Sequence, residues 1–440
     1  MLNLYSLGIL DGRIYLNGEW VEGNLYIKDG RIAAISSSYL EAAEEYDAKG
    51  QCVLPGFIDP HVHFALRVGK YTSVDDFNSG SISAAFGGIT TFIDFLDPVY
   101  RAEELEKAFE KRRLLSRDSV IDYSFHATLS RPEDSPGKMV EKMKELKLPS
   151  AKFFTAYSSS NRNTTDKYLD GMLKISRETS TLLLVHSENE DLLTEGEGIR
   201  VRDHENMRPA ISEISEVIKL AEMTRYNEGL MYIVHVSCGT TVKRLKEGYG
   251  DILNKSLFVE SCPHYFTFNS AAYDTEDGGL LTMTPPLRSE KERRLLIGHI
   301  DSVHTIGTDH CPFNSGDKKA EYTSGLPMGI GGVEHSFSIM YSLFGDKVIE
   351  KFTKNVAEVH GLYPRKGSLL PGSDADVVIF DSQCEWKVRE HNSKCDYVAY
   401  EGINLKGKVR TTISRGRFIV RDGKFMGGIG EYLVRNGSRL

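Results

Sequence analysis

Two histidines one residue apart, His61 and His63 in GFIDPHVHF, are where this sequence first suggests chemistry. Residues two apart on a β-strand project to the same face, so both imidazoles can reach one metal ion from a strand end. Alone the pair is a weak signal, because two ordinary polar residues at a strand end read the same way. His186 closes the apolar run TLLLVH, and His235 closes MYIVH. A lone histidine of this kind is more often a hydrogen-bonded core residue than a ligand. Two of them at the ends of consecutive apolar runs, added to the first pair, make four imidazoles able to converge, and imidazole suits zinc and similar divalent ions. Asp309 in GTDHCPF ends a further run, where a carboxylate can be both metal ligand and proton acceptor. Lys152 in SAKFFTAY would add positive charge to this cluster, and an ammonium there would repel a cation. Carboxylated by carbon dioxide, it would become an anionic oxygen ligand able to bridge two ions. A lysine snorkelling to the surface is the plain alternative, and side-chain physics by itself favours it.

These residues need elements to carry them. Residues 1–54 hold short apolar runs broken by Gly with Asn or Asp, such as GRIYLNGEW and NLYIKDGRIAAI, the pattern of antiparallel hairpins. From Pro55 apolar strands alternate with longer amphipathic stretches: TTFIDF, AEELEKAFEKRRLL, DYSFHATL, GKMVEKMKEL, AKFFTAY. The runs in STLLLVHSE, GLMYIVHVS, LFVESCPHYF and HTIGTDHCPF continue the series, each ending in polar, reactive residues. About eight such units predict an α/β fold with a closed TIM-like (β/α)8 barrel, whose reactive groups come from the C-terminal ends of several strands. After Lys366 short β segments return in SDADVVIFD and VRTTISRGRFIV. The expected organisation is 1–54 as the first part of a small β-sandwich, 55–366 as the barrel, and 367–440 as the second part of the sandwich with a C-terminal tail.

The net charge of -8 is spread along 440 residues without long like-charged runs, which gives no reason to expect a nucleic acid or an anionic membrane as partner. A small neutral or mildly charged substrate fits better. Six scattered cysteines without CxxC spacing argue against a disulfide framework and against a thiolate zinc site. The N-terminus lacks a basic n-region and carries Asp11 and Arg13 inside its apolar stretch, and no stretch is long enough to span a bilayer, so a cytoplasmic location is expected.

Taken in order, GFIDPHVHF, AKFFTAY, LLLVHSE, YIVHVS and GTDHCPF resemble the cyclic amidohydrolases of the amidohydrolase superfamily, the group of dihydropyrimidinases (hydantoinases), allantoinases and dihydroorotases. The resemblance spans nearly the whole chain, and TSVDDFNSGSISAAFGGITTFIDF, TPPLR and GLYPRKGSLLPGSDADVVIFD look most like the hydantoinase branch. It implies a metal-dependent hydrolase with two divalent ions, usually zinc. His61, His63 and Asp309 would hold one ion, His186 and His235 the other, with carboxylated Lys152 bridging them. A bridging hydroxide would open the cyclic amide of a dihydropyrimidine or hydantoin, Asp309 carrying its proton to the leaving nitrogen. Tyr157 matches the tyrosine that donates to the developing oxyanion.

The chain also departs from its likenesses. Ala65 stands where dihydroorotases and allantoinases commonly have the arginine of HxHxR, which argues against dihydroorotate. Dihydroorotase or allantoinase activity is therefore the second reading, and a non-catalytic scaffold the third. Thr284 replaces the serine that usually precedes PPLR and Met328 replaces an asparagine, both at positions expected to bind substrate through the backbone. VESCPHYF, with His264, looks closer to allantoinases and dihydroorotases. Segment 64–72, with Phe64, Leu66 and Arg67, is the expected specificity loop, although a solvated Arg67 is the plainer reading. His126, His264, His304 and His310 have ordinary structural readings. The family also implies a homo-oligomer, tetramer or dimer.

Overall fold

The computed structural model of this protein describes residues 5–194 and 196–437. Eight parallel strands among the described residues form one sheet in chain order: Phe57–Val62, Ile89–Phe95, Asp122–Thr128, Ser150–Phe154, Leu182–His186, Met231–Ile233, Leu257–Ser261 and Thr305–Ile306. Ile89–Phe95 and Asp122–Thr128 are buried at every position, which is why they read as near-continuous apolar runs rather than as alternating ones. The sheet closes on itself where His63 N donates to His310 O at 2.9 Å, beside an isolated parallel bridge between Val62 and His310. The expected barrel is thus present, its last seam made by residues just outside the two-residue eighth strand.

Helices cover the barrel as the alternation requires. In Asp166–Thr179 the buried residues Leu169, Met172, Leu173 and Ser176 fall on one helical face, and the Thr165 side chain caps the start by accepting from Tyr168 N. Pro136–Glu145 begins with a Ser135 cap followed by Pro136, whose missing N–H would be unpaired there in any case.

Strands from both chain ends meet in a second sheet. Tyr5–Leu16, Glu19–Lys28, Arg31–Ser36, Ala42–Asp47 and Cys52–Pro55 join Val377–Lys387, Asn404–Ser414, Arg417–Arg421 and Lys424–Phe425. Cys52–Pro55 pairs antiparallel with Val377–Lys387, Val53 opposite Ile379. Leu7, Ile9, Leu25, Ile27, Val53, Val377 and Ile413 share its core, so neither end completes it alone. Asn17-Gly18 and Asp29-Gly30 turn its first hairpins with positive φ at both residues, the backbone that two-residue hairpin loops need. The tail then leaves this sheet: Leu433 N donates to Tyr123 O at 2.7 Å, and buried Arg435 donates from Nη2 to Phe125 O at 2.5 Å and Ser150 Oγ at 2.7 Å. It seals the barrel beside the third strand. No helix among the described residues is long and apolar enough to cross a membrane.

Candidate metal centre

All six expected ligand residues lie in barrel strands or just past their C-terminal ends. His61 is in the first strand and His63 just past it, Lys152 is in the fourth, His186 ends the fifth, His235 follows the sixth and Asp309 follows the eighth. His61 Nε2 stands 3.3 Å and His63 Nε2 3.1 Å from Asp309 Oδ1, the three ligand atoms lying within 4.8 Å of one another. His186 Nδ1 and His235 Nε2 face each other at 3.0 Å, and the His61 and His235 rings are 5.5 Å apart. His235 and Asp309 both hold positive φ, 40° and 49°, and non-glycine residues in that region cluster at functional sites.

Burial sets the electrostatics. It pushes His63 down to about 4 against the pull of Asp309, and it also lowers His186 and His235, keeping all three imidazoles neutral, the ligand form. Burial pushes Asp309 up, but His61, His63 and His235 more than reverse this and hold it below the ordinary carboxylate range. Lys152, 3% exposed, is brought down to about 8 by burial.

Three carboxylates behind the ligands were not singled out by the sequence reading. Glu260 Oε1 accepts from His61 Nδ1 at 2.7 Å and from His235 N at 3.0 Å, while Tyr232 OH donates to Oε2 at 2.8 Å. This fixes the His61 tautomer, leaving Nε2 with a lone pair aimed at Asp309. Gly307 is required beside it, since a Cβ there would lie 2.7 Å from Glu260 Oε2. Glu188 Oε2 pairs with His186 Nε2 at 2.7 Å and turns Nδ1 toward His235. Asp59 ties the first strand to the eighth, accepting from His61 N and Thr308 N at 3.1 Å each. The one legible signal was a carboxylate in an otherwise apolar run, as in LFVES.

His61 Nε2 is buried and has no hydrogen-bond partner among the described residues, so the N, N, O donor set of His61, His63 and Asp309 fits a divalent cation with a coordination position left over. The amidohydrolase family model matches residues 52–419. The chain belongs to the amidohydrolase family. A D-hydantoinase of Geobacillus stearothermophilus is 32% identical over 456 residues, spanning 97% of this chain and 96% of that protein. A D-phenylhydantoinase of Escherichia coli O127:H6 is 32% identical across 89% of each chain. A crystal structure of a D-hydantoinase superposes with a TM-score of 0.92 at 31% identity, covering 98% of this chain and 99% of that one. A dihydropyrimidinase from Brevibacillus agri gives 0.91 at 29% identity, covering 98% of each. The chain sits on the hydantoinase branch, and membership of the family implies a binuclear metal centre.

The remaining candidates of this amidohydrolase divide. Tyr157 follows the fourth strand with φ +75°, a strained conformation for so bulky a residue, and its OH donates to Thr284 Oγ1 at 2.9 Å. Burial pushes its phenol up to about 12, so it stays a hydrogen-bond donor. Lys318 Nζ donates to Thr282 O at 2.6 Å and Gly329 O at 2.5 Å, clamping together the segments that carry Thr284 and Met328, both half-buried. Phe64 corrects the expected loop. It has no exposure and packs on Phe77, Phe92 and His310, because it faces away from His63 into the core. Leu66 is half-buried, and Arg67 is exposed, its Nε donating to Gly69 O at 3.2 Å in a hairpin of Arg67–Val68 with Tyr71–Thr72. His310 pairs with Asp75 Oδ2 at 2.9 Å, and His126 reaches Ser150 Oγ at 2.6 Å and Pro60 O at 3.1 Å. His304 lies against Phe258, while His264, buried, has both ring nitrogens unpartnered among the described residues.

Proposed function

We propose that this protein hydrolyses the ring amide of hydantoins or dihydropyrimidines at a two-zinc centre held by His61, His63, Lys152, His186, His235 and Asp309. The observation that carries the reading is the convergence of four imidazoles and a carboxylate on one buried mouth, with outer carboxylates orienting two of the rings. Two divalent ions bound there would supply an activated water and polarise the scissile carbonyl. His61, His63 and Asp309 would hold the first, His186 and His235 the second. Lys152, as its carboxylate, would serve both, and burial that brings its amine to about 8 supports that modification by raising the uncharged fraction able to react with carbon dioxide.

In hydrolysis the oxygen of water bonds to the ring carbonyl carbon, the carbon–nitrogen bond breaks, and the water's proton goes to the nitrogen. Asp309 takes that proton and delivers it. Tyr157, held neutral by burial, donates to the oxygen that becomes negative at the carbonyl. The Thr284 and Met328 segments offer main-chain groups to the ring, and Leu66 and Arg67 shape the space for its substituent. Ala65 provides no forked donor for a substrate carboxylate, which favours neutral rings over dihydroorotate. Free thiols at all six cysteines support a cytoplasmic setting, and a homo-oligomer, tetramer or dimer, is the expected assembly.

Metal analysis after growth with zinc and bicarbonate, together with parallel assays on hydantoin, dihydrouracil, allantoin and dihydroorotate, tests this. Two ions per chain with turnover of the first two substrates is the expected result. Fewer than about one ion per chain, or preference for dihydroorotate, would sink it.

A further inference from the structure

Behind the metal centre one guanidinium touches both halves of the chemistry just assigned. Arg208 follows the short helix His204–Met207, and its side chain is 8% exposed. It forks on Glu188, Nε donating to Oε1 at 3.2 Å and Nη2 to Oε2 at 2.5 Å. Glu188 is fully buried, and Oε2 also meets His186 Nε2 at 2.7 Å. Burial pushes the Glu188 carboxyl up, but Arg208 and His186 hold it well below the ordinary range. The same Nη2 reaches Tyr157 OH at 3.4 Å, and the guanidinium carbon sits 5.3 Å from the Tyr157 ring centre. Arg208 is itself fixed from behind, its carbonyl accepting from Arg288 Nη1.

We propose that Arg208 is a positioning residue that locks the phenol of Tyr157 and the imidazole of His186 into one rigid unit, so that oxyanion donor and metal ligand keep a common register. This rests on the reading above, in which Tyr157 serves the carbonyl oxygen and His186 a metal ion. The chemistry follows from donor counting. Arginine only donates and stays charged at any working pH, so it occupies a lone pair of the Tyr157 oxygen and leaves the phenol proton for an acceptor. At rest that acceptor is Thr284 Oγ1. When the carbonyl oxygen gains charge the proton can swing to it, while the guanidinium contact persists and polarises the O–H bond. On the other side, a carboxylate gripped by two guanidinium nitrogens can only accept from His186 Nε2, which keeps the Nδ1 lone pair on its line. Lysine could supply the charge but not the fork.

A double-mutant cycle with metal-loaded protein decides it. Arg208→Gln is expected to lower kcat on hydantoin about 100-fold with KM within about threefold, the signature of an interaction realised in the transition state. Tyr157→Phe should behave alike, and the double variant should be no more than about threefold worse than the poorer single, because both act on one donor. Arg208→Lys should recover part of kcat. In cobalt-substituted protein, the visible bands should shift in Arg208→Gln and not in Tyr157→Phe, reporting the His186 arm without reference to turnover. Multiplicative losses in the cycle, or unchanged cobalt bands, would overturn the proposal. If Arg208→Gln does not fold, the cycle with Arg208→Lys carries the same test. A wild-type chain that opens no cyclic amide would instead remove the underlying reading, which is a different result from an active wild type with multiplicative losses.

Discussion

On one side of the barrel mouth, His61 and His63 share Asp309 Oδ1 at 3.3 and 3.1 Å, so the cluster already contains its anion. Beside it, His186 Nδ1 and His235 Nε2 stand 3.0 Å apart; burial lowers both and the Lys152 ammonium lowers them further, while the anion on this side, Glu188, sits behind His186 and is shared with Arg208. The first group is ready for a cation as the chain folds. On the proposed reading, the second becomes attractive to a cation once Lys152 exchanges its positive charge for a negative one. If the proposed assignment holds, the two ions need not bind alike: the first would follow from folding, the second from folding plus a chemical modification.

The largest expected effect comes from removing the anion of the ready half. Asp309→Asn deletes the proposed ligand and proton carrier together, and kcat should fall about 1,000-fold or more, with metal content dropping to one ion or fewer by atomic absorption. Retention of two ions and near-normal kcat would erase the comparison. Lys152→Ala comes next. It should leave the first ion in place and lose the second, with kcat down about 100-fold. Added acetate, which supplies a carboxylate to the same space, should restore part of both. Equal loss of both ions would show that the halves assemble together.

Much of this candidate site was legible because most of its proposed ligands end apolar runs, and the end of a barrel strand is a place that sequence pattern can locate. HVH, LLLVH, IVH and GTDH all carried that signal. The hairpins were legible through Asn17-Gly18 and Asp29-Gly30, where the turn chemistry is local. What sets the geometry of the ligands was not. Glu260 meets His61 from 199 residues away, and a single buried carboxylate has no period to betray it. Arg208 and Lys318 stand in HENMRP and GDKKAE, where no spacing or run distinguishes them from solvated charges. Phe64 misled through adjacency: the neighbour of a ligand on an extended chain faces the other way, here into the space beside Gly80, where an added Cβ would lie 2.2 Å from the Phe64 ring.

Those outer carboxylates sharpen the comparison further. Glu260→Gln should weaken the first ion, and Glu188→Gln the second, each by about 10- to 100-fold in affinity measured by competition with a chelator. Loss of the same ion in both variants would mean that the halves are not separable. The metal-free protein carries a related pH signature. Burial holds His63 at about 4, against 6.5 in a free chain, and lowers His186 and His235 in the same direction. The unfolded chain therefore takes up protons first as pH falls. The stability contributed by these neutral imidazoles is complete above about pH 6.5 and declines as pH falls through 6.5 toward 4. Melting temperatures of the metal-free protein should fall across that window, and a flat profile would contradict the burial assigned to them.

The smallest effect tests a residue that belongs to neither half. Lys318 is fully buried, and its ammonium is spent on two carbonyls, Thr282 O and Gly329 O, rather than on a carboxylate. Burial lowers its amine to about 7, but even a neutral amine keeps two N–H donors, so the clamp survives deprotonation. Lys318→Met preserves length and removes the donors, freeing the Thr284 and Met328 segments from each other while leaving every candidate metal ligand untouched. KM for hydantoin should rise about tenfold with kcat within about threefold and with both ions retained, since only binding of the ring is disturbed. If kcat fell together with metal content, the substrate frame and the metal cluster would be one cooperative unit, and dividing the mouth into separable parts would be wrong.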